Sequence, residues 1–249
     1  MEQTEKVLVL RVGRFRETDM WVSYLSPSQG VTRAFAFGGS RSRRRFVGCL
    51  DALNLVIFTH DTTVKAHQGK KLLEGSLVHG FPGLRANRNA LAAAGHCLKF
   101  VEAVQIGPQG SRKAFDLTLS TLYGLEDQTL APAAAPLLFK TRTTYDHGYA
   151  PEIGECISCG LPLDQIPEPW FLVDKGRVAC PNCRPTDSPL FKTSAGALRT
   201  LDWIGRSDPK DWPRLAIKPD IHQQCGQVLD AYVAWHFGLV WEDGWFRKN

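Results

Sequence analysis

The chain has 249 residues, 43% hydrophobic and 22% charged, a composition that argues against a disordered tract or a fibrous repeat. No run of eighteen apolar residues occurs, and the start MEQTEKVLVLRVGRF lacks the basic head and apolar core of a secretory signal, so the expected compartment is the cytoplasm. The net charge of +5 is uneven: residues 1–80 hold twelve Lys or Arg against seven Asp or Glu, and the rest balances at eighteen of each. A basic first third suits a polyanionic partner such as nucleic acid, and equally a solubilising surface.

The first eighty residues read as β. Val7–Val12 is an apolar run interrupted by Arg11. In Met20–Leu25, Met20, Val22 and Tyr24 share one face, and Trp21, Ser23 and Leu25 the other. Ser26-Pro27-Ser28-Gln29-Gly30 has turn chemistry, and Val31–Phe37 and Leu53–Phe58 are further strands. Leu72–Val78 is weaker, with Gly75 predicted as a bulge or bend. Five short strands fit an OB-type barrel over residues 1–80, and other five-stranded barrels nearly as well.

Beyond Pro82-Gly83 the period becomes helical. Leu91, Ala94, Leu98 and Val101 mark one helix. Ser111 is a predicted cap for the next, whose stripe is Phe115, Leu119 and Leu122. Ala131–Pro136 reads as a loop or helix entry, with a third helix over Leu137–Thr144. Helical character returns after Ser194 with Leu198, Leu201 and Ile204. A last helix over Ile221–Phe237 places Cys225, Val228, Leu229, Tyr232 and Val233 on one face. The fold class expected is α+β: an N-terminal OB-type barrel, then an all-helical domain (residues 81–150 and 191–249) carrying a small cysteine module at 151–190.

That module holds Cys156-Ile157-Ser158-Cys159 and Cys180-Pro181-Asn182-Cys183, twenty residues apart. In a reducing compartment, paired CxxC turns point to a metal rather than to disulfides. Four thiolates complete the tetrahedral shell of Zn2+, and a closed shell is structural rather than catalytic. Gly160 supplies the left-handed residue such turns need. Trp170–Val173 and Arg177–Ala179, around Asp174-Lys175-Gly176, read as a hairpin, giving a zinc-ribbon-like module. A redox pair is the alternative, although a thioredoxin-like CxxC should open a helix after a strand. Cys49, Cys97 and Cys225 stand alone and read as buried apolar residues.

The densest charge lies in Gly38-Gly39-Ser40-Arg41-Ser42-Arg43-Arg44-Arg45-Phe46, expected as a flexible loop after the third strand. Its arginines can contact phosphates, with Phe46, or an outward Phe35 or Phe37, available for stacking. Arg11, Arg14, Arg16 and Arg33 extend the patch. A solvated charged loop is the competing reading. No Walker loop, GxGxxG, GxSxG or HExxH occurs, and no catalytic residue is assigned.

The order of barrel, helices and four-cysteine module resembles the RecO family of bacterial DNA repair and recombination proteins. It is carried by Val7–Val12, Arg16-Glu17-Thr18-Asp19, Ser26–Gly30, the small and basic stretch Ala36–Arg45, and the approach Gly148–Cys156. The resemblance implies a protein without turnover that binds single- and double-stranded DNA and anneals complementary strands. With RecR it would help load RecA onto DNA coated by single-strand-binding protein, in the cytoplasm at the nucleoid. By position, DNA contact maps to Arg41, Arg43, Arg44 and Arg45, then Arg11, Arg14 and Arg33. The helical region would supply the docking face for single-strand-binding protein, and Trp241–Asn249 has no match. An RNA-binding module of translation or RNA processing remains an alternative, because an OB barrel and a zinc ribbon serve RNA equally well.

Overall fold

A computed structural model describes residues 2–61 and 70–248. The chain forms two compact units, Met1–Gln128 and Thr129–Asn249. The first begins with β1 (Glu2–Arg14), β2 (Met20–Ser26), β3 (Gly30–Ala36), β4 (Leu55–Asp61) and β5 (Lys70–His79). They close a barrel in the order β1-β2-β3-β5-β4, β4 pairing antiparallel with β1 and β3 parallel with β5. This is the five-stranded Greek-key barrel of OB type.

A bulge explains the unalternating Val7–Val12 run. The β1–β2 ladder pairs Val9 with Tyr24 and next Arg11 with Ser23, so Leu10 is the extra residue. Val9 and Val12 thereby both turn inward, and Arg11 and Gly13 turn out. The interior is filled by Val7, Val9, Val22, Tyr24, Ala34, Val56, Phe58 and Leu72, with Val12 packed against it. Gly75 differs from expectation. It sits directly opposite Phe58, and the register shifts fall to either side of it. A side chain there would strike the Phe58 ring at 2.7 Å, so its role is close approach.

After the barrel come α1 (Pro82–Ala86), α2 (Arg88–Val104) and α3 (Ser111–Glu126). Asn87 caps α2, its side chain accepting from the N–H groups of Asn89 and Ala90 at 3.1 Å each. Ser111 does not cap α3. The helix starts at Ser111 itself, after a left-handed Gly110, and the hydroxyl donates to the Pro27 and Pro108 carbonyls at 2.8 Å.

The second unit contains α4 (Ala135–Asp146), β6 (Glu152–Cys156), β7 (Trp170–Leu172), β8 (Arg177–Ala179), β9 (Leu190–Lys192), α5 (Ala195–Arg206), α6 (Pro219–Phe237), β10 (Leu239–Glu242) and β11 (Trp245–Lys248). The expected hairpin is β7–β8, within a sheet of order β6-β8-β7-β9. Its outer strands, and the terminal β10–β11 hairpin, have no counterpart in the sequence reading. The β7–β8 hairpin packs on α6: Phe171 meets Tyr232 edge-on at 5.5 Å, and His236 bonds the Val173 carbonyl at 2.9 Å. Burying Phe171 contributes about 2–3 kcal/mol, comparable to several surface ion pairs. No helix among the described residues is long and apolar enough to cross a membrane.

Candidate nucleic-acid interface and metal centre

Residues directly opposite one another in a sheet share a face. Val12, Val22 and Ala34 form an inward row of β1, β2 and β3, so the flanking rows point outward: Arg11, Ser23, Arg33, and Gly13, Trp21, Phe35. Gly13 has no side chain, and the Trp21 ring lies over it. The guanidiniums of Arg11 and Arg33 stand 5.3 and 5.1 Å from the Trp21 ring centre, within cation–π range. At the strand ends, Phe15, Phe35 and Phe37 form a cluster with ring centres 5.3 to 6.5 Å apart. Arg16 lies over Phe15 at 5.0 Å.

The arginine segment borders this face and is not a free loop. Gly38 takes a left-handed conformation and its N–H donates to the Asp19 carboxylate at 2.8 Å. Ser40 N–H donates to the Thr18 carbonyl at 3.0 Å, and a short 3-10 turn covers Gly39–Arg41. Arg41, Arg43 and Arg44 are exposed. Arg45 is held differently: its guanidinium donates to the Phe37 carbonyl at 2.7 Å and lies over the Phe46 ring. Phe46 corrects the sequence reading. It is 4% exposed, packed in the barrel core, and unavailable for stacking.

The structure thus brings Arg11 and Arg33 onto one outer face, with Arg14 exposed at the end of β1. No acidic side chain pairs with Arg14, Arg16, Arg33, Arg41, Arg43 or Arg44 among the described residues. The sequence reading missed Phe15 and Trp21. The alternation Arg11, Gly13, Phe15 was a signal for them, but only strand register shows which aromatics adjoin which arginines.

In the second unit, the sulfurs of Cys156, Cys159, Cys180 and Cys183 lie within 4.8 Å of one another, with Cys159 and Cys180 at 3.9 Å. Bonds of ~2.3 Å to one tetrahedral cation require sulfurs about 3.8 Å apart, so the set fits a metal ion such as zinc. Gly160, left-handed after the first pair, lets its N–H reach the Cys156 carbonyl at 3.0 Å. Burial pushes the Cys156 thiol up, but N–H groups of Cys159, Cys180 and Ser158 aimed at the sulfur outweigh it and bring it down to about 6. Hydrogen bonding to Cys180 and Cys159 raises Cys183 to about 12. One thiolate forms readily; several together need a cation among them. Cys49, Cys97 and Cys225 are buried as expected, and burial lifts the Cys225 thiol to about 12.

The same unit has a cleft of about 720 Å³ between β6 and α5, lined among others by Asp164, Arg199, Asp202, Trp203 and Arg206. Its arginines already pair with carboxylates, Arg199 with Asp164 and Arg206 with Asp202. In that they differ from Arg14, Arg16 and Arg33, which have no acidic partner among the described residues.

These features define an OB-barrel protein with helices in both units and a four-cysteine module that fits a metal ion. The family model described as Recombination protein O N terminal matches residues 1–81, and Recombination protein O C terminal matches residues 85–242. A DNA repair protein RecO of Maridesulfovibrio salexigens is 41% identical, with all of both chains covered. Its counterpart in Oleidesulfovibrio alaskensis is also 41% identical, and that of Lawsonia intracellularis 32%, each again over the full length of both chains. The chain belongs to the RecO family.

Proposed function

We propose that this protein is a DNA-binding mediator of recombinational repair. It binds single- and double-stranded DNA and anneals complementary strands. With RecR it helps load RecA onto DNA coated by single-strand-binding protein, in the cytoplasm at the nucleoid. Full-length family membership carries this reading, and Arg16 and Arg33, which have no acidic partner among the described residues, support it beside the exposed aromatics on the barrel.

The division of labour follows from the sites. Phosphate contact is assigned to Arg41, Arg43 and Arg44, with Arg11 and Arg33 on the adjoining face and Arg14 at the exposed end of β1, because phosphate contacts supply affinity irrespective of sequence. Arg45 belongs to the same patch but also fastens the loop. Cys156, Cys159, Cys180 and Cys183 hold one structural Zn2+ that keeps the β7–β8 hairpin folded. No residue is assigned to catalysis.

The test is a strand-annealing assay with complementary oligonucleotides coated by single-strand-binding protein, run beside a competition between matched DNA and RNA strands. Faster annealing and a DNA preference are expected. No acceleration, or a clear RNA preference, overturns the reading.

A further inference from the structure

Phe15 is 42% exposed and Phe37 39%, large apolar surfaces that a barrel of this size has no folding reason to present together. They adjoin Phe35 and, across the same face, Trp21 with its two arginines. Gly13 lies beneath the Trp21 ring, where any side chain would collide with it. The occupant of such a face must offer flat π surfaces and negative charge together.

We infer that the outer face of β1–β3 is a base-stacking platform that selects single strands, with Phe15, Trp21 and Phe37 as the stacking side chains and Gly13 as the seat of Trp21. This rests on the DNA-binding reading above and assigns its discrimination. Phosphates are common to single strands and duplexes, so Arg41, Arg43 and Arg44 serve both. Only an unpaired base exposes its ring face, because a duplex buries those faces in its own stack. Every base has such a face, so the platform tolerates any sequence. Arg16 and Arg33 beside the rings add cation–π contact and bring phosphate partners to the same strand.

The experiment measures the full chain's affinity for oligo(dT), for an abasic oligomer of equal length and for a duplex, all at one salt concentration. Phe15→Ala/Phe37→Ala should lower oligo(dT) affinity by roughly five- to hundredfold per stacked base lost. Affinity for the abasic oligomer and the duplex should hold, as should the salt dependence. Gly13→Val should give the same selective loss while keeping every aromatic, since it only displaces Trp21. Thermal melting establishes that each variant is folded; if the double variant is not, Phe37→Ala alone carries the test and Phe37→Tyr should restore binding. Equal losses on all three ligands, or none on oligo(dT), overturn the platform but leave DNA binding standing. A wild-type chain that binds none of the three overturns the underlying reading itself.

Discussion

Replacing Arg41, Arg43 and Arg44 together by alanine separates phosphate contact from mere surface charge. All three are exposed and none pairs with an acid among the described residues, so their loss removes no ion pair among those residues. Each phosphate contact lowers the slope of log K against log salt by about 0.7 on a single strand. Three lost contacts should therefore flatten the slope by about 2. At about 0.1 M salt this is roughly a hundredfold loss of affinity, or about 3 kcal/mol, and it shrinks toward nothing near 1 M. Fluorescence anisotropy of a labelled oligo(dT), titrated at several salt concentrations, measures it. Arg45→Ala should behave differently, because it frees the Phe37 carbonyl. It should cost about 1 kcal/mol of barrel stability, seen by denaturant titration. A slope that the triple variant leaves unchanged refutes the assignment of phosphate contact to this segment.

Phe46→Ala should destabilise the barrel by about 3–5 kcal/mol in a denaturant titration, because it opens a cavity in a filled core. Phe37→Ala should cost less, about 1 kcal/mol for its contacts with Phe15 and Phe35, and the reverse order would contradict their placement. Burial and the nearby Lys70 hold His60 below its ordinary value of 6.5, partly offset by Glu5. The unfolded chain therefore takes up the proton first as pH falls. The stability that neutral His60 contributes is complete above about 6.5 and is lost as pH falls through the lower folded value. His60→Gln should flatten the pH dependence in that window, and equal slopes for the two proteins would count against it. Purified protein should contain about one zinc per chain. Alkylation of Cys156, Cys159, Cys180 and Cys183 should accelerate on chelation, while Cys97 and Cys225 stay protected. Four thiols that react equally fast with and without chelator would exclude a resident metal.

Much of this protein is written locally. The two CxxC pairs, Gly160, and the turn at Asp174-Lys175-Gly176 announce a hairpin beside a four-cysteine cluster, because each motif needs only a few adjacent residues. The helical face Cys225, Val228, Leu229, Tyr232 and Val233 is buried as its spacing predicts, since a 3.6-residue period is a local property. Short apolar runs bounded by turn signals likewise pointed to the barrel strands. Register and closure are not local. The bulge at Leu10 turns Arg11 and Gly13 outward, and the pairing of β1 with β2 and β3 places Trp21 over a glycine and between two arginines. The same nonlocal packing buried Phe46 beside exposed arginines and left Phe37, nine residues earlier, on the surface. One residue of slip moves every side chain of a strand to the opposite face. The sequence by itself therefore determined which chemistry this protein carries: a basic barrel and a cluster of four thiols that fits a metal ion. Only the tertiary structure decided which arginines and aromatics meet on one surface, because that depends on strands brought together from distant parts of the chain.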